Sequence, residues 1–422
     1  MYTAKSGHTF IIMLLFAFTQ GSVFADGYRN TPEGARAIGA FGGHRAFADD
    51  ANATIHNSAN LVDLERPMIQ INALFGDGEN SFKATGVSDK TENPHYGIPG
   101  FSVAVPLNDG KFALGFAAYV PYGRSVDWGN KDYMAAIGAP YSGTMTVADF
   151  TPNVAMRLTD SLSVGVGIDF YYGEVRQKQF AHEIFSPYHN TTTSHSEITA
   201  DDTATGWNAA LTWKMTEKQR LAATYRSSFT MDYHGKNQVE VPETSAIPGL
   251  PFPVPPIPEM AFESFVDAEI EYPNIIALAY GVEFTDNLRA ELNVEWLEFS
   301  VYQNLTIRDT SLGTITAPQK LKDTWTFGVG GEWDFATNWT ARAGYMYLQN
   351  PTPDETYGPL GPDEDQSVIS LGLGYETKHH AFDLGWALGL FGGREVSGSV
   401  NGPDGFYDYD LYVLSLSYGY KF

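Results

Sequence analysis

The sequence predicts an all-β fold: a transmembrane barrel of 14 antiparallel strands with an amino-terminal small-helix segment plugging its lumen. Three observations predict it: an export signal, strands with one apolar and one polar face, and tight connections that alternate with long ones. The chain starts with Lys5, then the apolar run at residues 10–18, then small residues up to Ala25. This is the plan of a secretory signal peptide over residues 1–25. Such a run is too short for a helical span, which needs about 20 apolar residues. No later stretch approaches 18 uninterrupted apolar residues, so any membrane crossing falls to strands.

The strands are read from period-2 alternation. Across residues 162–173, Leu162, Val164, Val166, Ile168, Phe170 and Tyr172 share one face, and Ser163, Gly165, Gly167, Asp169, Tyr171 and Gly173 share the other. Trp325, Phe327, Val329 and Trp333 alternate with Thr324, Thr326, Gly328, Gly330 and Glu332. Between residues 288 and 296, Leu288, Ala290, Leu292, Val294 and Trp296 oppose Arg289, Glu291, Asn293 and Glu295. A soluble sandwich also alternates. Here the polar faces hold charges and glycines while the apolar faces end in aromatics, which suits lipid outside and a polar lumen inside.

Six connections are tight, at residues 107–110, 159–161, 215–219, 285–287, 335–338 and 377–380. Seven are long, near 77–97, 124–143, 177–203, 235–264, 301–322, 350–365 and 397–408. Thirteen connections join 14 strands and leave both ends of the barrel, residues 67–422, on the side of the short turns. The last strand carries Tyr412, Leu414, Leu416, Tyr418, Tyr420 and Phe422 on one face and ends on that Phe, a signature of outer-membrane barrels.

Composition narrows the function. With 24 Tyr, 27 Phe and 8 Trp, aromatics reach 14 %, enough for girdles at both membrane interfaces. The chain has no Cys, hence no disulfide and no thiolate chemistry. A net charge of −24 excludes a nucleic-acid partner, because few cations are available to displace phosphate counterions.

Residues 26–66 do not alternate and are rich in Gly and Ala, with Asp26 at their start. They read as a plug, since a barrel of this size leaves an aqueous channel unless something fills it. From Gly39 to Leu61, and most closely at Ala48-Asp49-Asp50-Ala51 and Asn57-Ser58-Ala59, the segment resembles the hatch of FadL-type long-chain fatty-acid transporters. That family usually has Asn-Pro-Ala at the latter position. Thr224-Tyr225-Arg226-Ser227, Asp232-Tyr233, Lys322-Asp323 and Asn338-Trp339-Thr340 are also similar to the family, so the resemblance covers nearly the whole mature chain in order.

The resemblance implies passive uptake of hydrophobic compounds across the outer membrane of a Gram-negative bacterium. Long-chain fatty acids come first, with aromatic or aliphatic hydrocarbons as the alternative. It also implies exit through a side opening made by a kinked third strand, matched here by Pro121, Tyr122 and Gly123. Pro lacks the amide donor and Gly weakens pairing, so this segment can leave the ladder, or it is an ordinary strand end entering a loop. The proline-rich stretch at 247–258 carries Leu250, Phe252 and Ile257, an apolar surface for collecting ligand or a rigid spacer. Lys322, by resemblance, and Arg176 are the candidate partners for a carboxylate head group, with a lumen salt bridge or solvation at the rim as the plainer roles. If neither faces the ligand, an uncharged hydrocarbon is favoured.

Other chemistry is thinly represented. Ser194-His195-Ser196 and His379-His380 place His beside hydroxyls, but adjacency in sequence is not triad geometry, and no catalytic residue is assigned. Asp363-Glu364-Asp365 and the Asp404, Asp408, Asp410 group are oxygen-rich but lack a calcium-loop pattern and read as solvated loops. No metal or cofactor is expected. A hydrophilic porin and an outer-membrane esterase are the competing classes. The expected partners are hydrophobic small molecules, outer-membrane lipid and lipopolysaccharide, around a monomer.

Overall fold

The computed structural model describes residues 27–30, 32–92, 95–183, 187–361 and 363–422. Within them one antiparallel sheet closes on itself as a barrel of 14 strands. In chain order these are β1 (Met68–Ala84), β2 (His95–Leu107), β3 (Phe112–Asp127), β4 (Pro140–Thr159), β5 (Leu162–Glu183), β6 (Thr192–Lys214), β7 (Gln219–Arg226, continued by Phe229–Val241) and β8 (Met260–Tyr272, continued by Ile275–Thr285). They are followed by β9 (Leu288–Leu297), β10 (Thr324–Ala336), β11 (Trp339–Leu348), β12 (Gln366–Glu376), β13 (His380–Leu390) and β14 (Gly405–Lys421). The ends meet: β1 pairs with β14 from Met68↔Lys421 to Lys83↔Phe406. The expected signal peptide and Asp26 lie outside the described residues.

The alternation has the sense of a membrane wall. On β5, Val166, Ile168, Phe170 and Tyr172 are exposed while Asp169 and Tyr171 are buried. On β9, Leu288 and Leu292 face out and Glu291, Asn293 and Glu295 face in. On β14, Tyr412, Leu414, Leu416, Tyr420 and Phe422 face out over buried Val413, Ser415 and Ser417. An exposed apolar belt around a buried polar interior inverts a soluble protein, as lipid requires.

All six tight connections join strands at one end of the barrel, as expected. In the first, Asn108 and Asp109 take φ of 50° and 55° before Gly110 at 77°, left-handed backbone that Asn, Asp and Gly tolerate best. Four of the seven long connections are shorter than expected. β5 and β6 stay paired from Leu162↔Trp213 to Glu183↔Thr192, so the loop read at 177–203 shrinks to a few residues. The segment read at 301–322 contains a hairpin, Asn304–Asp309 with Gly313–Pro318, that pairs onto β8. Above the hydrocarbon the outward positions turn polar, as at Glu174, Lys178 and His182. Alternation fades there while the backbone ladder continues.

Among the described residues, two longer stretches of the wall lack a ladder. Residues 101–107 of β2 pair with 112–118 of β3, and above Ala118 the two strands part. β3 stays with β4 through a bulge between Tyr119 and Tyr122. Four strands further round, β6 pairs with β7 below Asn208↔Arg226 and above Asp201↔His234, leaving the stretch between without a ladder.

Inside lies the amino-terminal segment: α1 (Ala35–Gly39), α2 (Ala53–His56) and a 3-10 turn (Ser58–Asp63). Residues 28–63 touch the inner face of every strand. Asn52 bonds Asn72 on β1 and Ser102 on β2, and Asn30 bonds Val120 O on β3. Arg157 of β4 donates to Val62 O, Ser58 packs on Gly165 of β5, and Asn57 bonds Thr212 of β6. Arg45 bonds Thr224 of β7, Phe47 fills the space beside Gly281 of β8, and Glu291 of β9 accepts hatch amides. Arg36 pairs with Glu332 of β10, Phe41 lies on Gly344 of β11, and Ser370 of β12 bonds Gly39 O. Ala35 covers Gly385 of β13 and donates to Ser417 of β14.

Candidate functional site

The hatch is seated by close backbone approach and by buried charge. A Cβ on Gly39 would stand 2.7 Å from the Gly372 Cα, and one on Gly43 would stand 2.7 Å from the Gly330 Cα. Only glycine on both sides allows such contact. Glu291 accepts the amides of Arg45 and Ala46 at 2.8 Å each and of Phe47 at 3.2 Å. Arg36 and Arg289 both pair with Glu332, at 2.9 and 3.1 Å, and Lys214 pairs with Asp63 at 2.7 Å. Asn57, Ser58 and Ala59 are buried. Asn57 Nδ2 donates to Arg45 O and to Thr212, while Asn60 Nδ2 donates to Ala46 O and Ala48 O. Ser58 opens the 3-10 turn, a first position that suits a proline equally well, so the departure from Asn-Pro-Ala leaves the turn intact.

Pro121, Tyr122 and Gly123, the residues expected at a side opening, lie where β3 has left β2. The hatch takes up the freed edge: Asn30 N donates to Pro121 O at 2.8 Å and Gly123 N donates to Tyr28 O at 3.0 Å. The carboxyl of Glu33 fills the space a side chain on Gly100 would occupy, next to the point where the β2–β3 ladder ends. Burial pushes that carboxyl up to about 7.

Behind this break is a cavity of about 80 Å³, with Arg29, Glu33, His44, Arg45 and His56 on the hatch side and Tyr119, Tyr122 and Arg226 on the wall. Arg29 and Arg45 share Glu295 at 2.7 and 2.8 Å. Arg226 lies between Asp149 and Asp169 at 2.7 and 3.0 Å. The rings of His44 and His56 are 4.9 Å apart and His56 Nε2 donates to Glu33 O at 2.8 Å. Burial pushes both imidazoles down, His56 to about 4, so they are neutral at pH 7.

On the loop side of the hatch the lumen holds packed aromatics: Tyr28, Tyr122, Tyr171, Phe229, Tyr272 and Phe299. Tyr171 stacks on Phe229 at 3.7 Å and Phe229 on Tyr272 at 4.5 Å; Tyr28 meets Tyr272 and Phe299 edge-on at 5.2 and 5.3 Å. The column runs from the gap between β6 and β7 to Tyr122 at the break in β3. Sequence reasoning missed it, along with Glu291 and Glu295. The available signal was parity, because Tyr171, Glu291 and Glu295 all fall on the polar faces of their strands.

Two expected residues are not brought to the cavity. Lys322 lies between the outer hairpin and β10, its amide donating to Pro351 O and its side chain exposed. It pairs with neither neighbour considered for it: Asp323 accepts Ser300 N, and Glu332 is held by arginines. Arg176 shares the outward parity of Phe170 and Tyr172 along a regular ladder and sits 3.7 Å from Glu197. Neither can meet a head group held inside. The proline-rich loop folds back on itself through Thr244 and Ile257, and Phe252 packs edge-on against Tyr188 at 5.4 Å while staying exposed. Leu250 and Ile257 are half-buried.

The histidines beside hydroxyls are engaged elsewhere: His195 bonds Tyr141, Ser196 bonds Asn237, and His380 bonds Tyr418. The acidic loop residues cap their own turns, with Asp404 accepting Gly398 N and Asp365 accepting Asn350 N.

Residues 17–422 match the family model described as outer membrane protein transport protein (OMPP1/FadL/TodX). The chain belongs to this family. Among its relatives, a long-chain fatty acid transport protein of Escherichia coli is 24 % identical over 394 residues, covering 82 % of this chain and 83 % of that one. A 47 kDa outer membrane protein of Pasteurella multocida is 22 % identical over 417 residues, covering 91 % and 92 %. Of the solved structures, a Pseudomonas aeruginosa FadL homologue superposes with a TM-score of 0.80 at 20 % identity, covering 94 % of this chain and all of that one. The Pseudomonas putida toluene transporter TodX does so at 0.76 and 15 %, covering 92 % and 98 %. This FadL/TodX-type barrel is an outer-membrane protein.

Proposed function

We propose that the protein is a passive conduit for hydrophobic molecules, which reach the aromatic column from the loops, occupy the cavity at Tyr122, and leave sideways through the break between β2 and β3. The observation that carries this reading is the loss of the β2–β3 ladder above Ala118 with a cavity directly behind it. A polar solute gains nothing from a side exit into lipid, whereas an apolar one does. The relatives fit, since one is named for long-chain fatty acids and one neighbour for toluene.

Capture falls to the exposed Ile247 and Phe252 of the proline-rich loop. A hatch touching all 14 strands speaks against a hydrophilic porin, and the separation of Ser from His speaks against an esterase, so no catalytic role is proposed. The apolar belt is continuous, which suits a monomer bathed in lipid and lipopolysaccharide.

The test is Pro121→Val with Gly123→Val, which restores strand-forming residues at the break. Uptake of toluene or oleate by cells is expected to slow severalfold while the barrel keeps its heat-dependent shift in gel mobility. Unchanged uptake in a folded double variant removes the lateral route.

A further inference from the structure

The cavity behind the break is lined by three guanidinium groups, and each already has a carboxylate partner. Arg29 and Arg45 divide Glu295 between them, and Arg226 is held by Asp149 and Asp169. The three carboxylates are fully buried, so water does not weaken these pairs. Three guanidinium groups therefore meet three carboxyl groups, and Glu33 is a fourth acid with no cation against it. The two imidazoles add no charge near neutral pH, because burial holds them down. Lys322 and Arg176, the remaining cations considered for this role, lie elsewhere. A ligand carboxylate entering here would be a further desolvated anion among resident ones, with every cation taken.

What the cavity presents besides these pairs is polar and mostly neutral. Among the described residues, the buried Tyr122 hydroxyl, His44 Nδ1, Asn57 Oδ1, Ser58 Oγ and Arg45 Nε have no hydrogen-bond partner, and all five residues line the cavity. A buried polar atom of this kind is satisfied by a ligand group that can donate and accept. A hydroxyl does both, and the stacked rings above suit an apolar or aromatic body.

We infer that the cavity selects uncharged ligands, with aryl or alkyl alcohols fitting its polar groups best, and that Glu295 sets this selectivity by occupying the two hatch arginines. The inference rests on the conduit reading above and names its substrate class. Glu295 acts as a positioning residue, through Arg29 and Arg45.

The experiment measures binding of 4-propylphenol and 4-propylbenzoate to the detergent-solubilised mature protein at pH 8, by calorimetry. Wild type is expected to bind the phenol at least tenfold more tightly than the benzoate. Glu295→Gln, which removes the negative charge the two arginines share, is expected to reverse that ratio, and Glu295→Asp to restore it. A merely structural role would weaken both ligands together. Should Glu295→Gln fail to give a folded barrel, Asp169→Asn makes the same demand by leaving Arg226 with one partner, and it is expected to gain benzoate binding. Wild type that binds the benzoate as tightly as the phenol overturns the inference, as does a folded variant whose ratio is unmoved. If toluene and both probes fail to bind wild type at all, it is the conduit reading that falls.

Discussion

Glu291 is the point where the hatch is most simply unlocked. Its carboxylate gathers three consecutive backbone amides of the hatch, at 2.8, 2.8 and 3.2 Å, in a buried setting. Hydrogen bonds to a charged acceptor contribute about 2 kcal/mol each, and a neutral one about half that. Glu291→Gln keeps the shape and one acceptor oxygen but turns an NH2 group toward the amide donors. The expected loss is about 3 kcal/mol of hatch docking, roughly a hundredfold rise in the undocked population. The assay is single-channel recording in planar bilayers, where wild type is expected to be almost silent and the variant to show openings about a hundred times more frequent. Hydrogen exchange at the amides of Arg45, Ala46 and Phe47 reports the same equilibrium. Openings and protection equal to wild type would refute the view that this carboxylate holds the hatch in place.

Three further outcomes follow from the same geometry. Gly372→Val drives a side chain against the Gly39 Cα, 2.8 Å from its Cβ, so it is expected to raise conductance and cost about 2 kcal/mol or more, while Gly392→Val, with open space around it, is silent in both assays. Arg226→Met leaves Asp149 and Asp169 buried without their cation and is expected to cost about 4 kcal/mol, read as a lowered urea midpoint of barrel unfolding in detergent. Because burial lowers His56 from its ordinary 6.5 to about 4, its contribution to hatch docking is whole above pH 6.5 and is lost as pH falls toward 4, by roughly 3 kcal/mol. Glu33 has the opposite slope, so the comparison is made in Glu33→Gln protein. There, hatch amide exchange is expected to quicken in acid, and adding His56→Gln should reduce the dependence to the part that His44, also held down by burial, contributes; an identical pH profile in both proteins would contradict it.

Much of the wall was legible in the sequence. Strands crossing lipid must alternate, so Val166 to Tyr172 and Leu414 to Phe422 announced their outward rows. The turn at Asn108-Asp109-Gly110 carried its own backbone chemistry. Strand length above the membrane was not legible, since the outward positions of residues 177–182 and 192–203 are mostly polar and the two faces no longer contrast. The hatch was visible as a composition shift, but its seat was not: Gly39 and Gly372 are small for each other's sake, 333 positions apart in the chain. Glu295 looked like any lumen carboxylate until Arg29 and Arg45 were seen to share it. The head-group roles of Lys322 and Arg176 fail for the same reason, because which face a cation occupies is decided by register and by loop folding.

The junction of β1 with β14 also bears on assembly. It joins the first and last strands of the barrel across nearly its whole length, from Met68↔Lys421 to Lys83↔Phe406. The loop-closing entropy for ends so distant must be met before these pairs give anything back. A segment that touches all 14 strands cannot be threaded into a finished cylinder through the crowded loops. The amino-terminal residues must therefore lie among the strands while the sheet is still open, and the seam zips last around them. The hatch acts as a mandrel on which the wall is wound, and a chain lacking it is expected to stall as an open sheet with two unpaired edges.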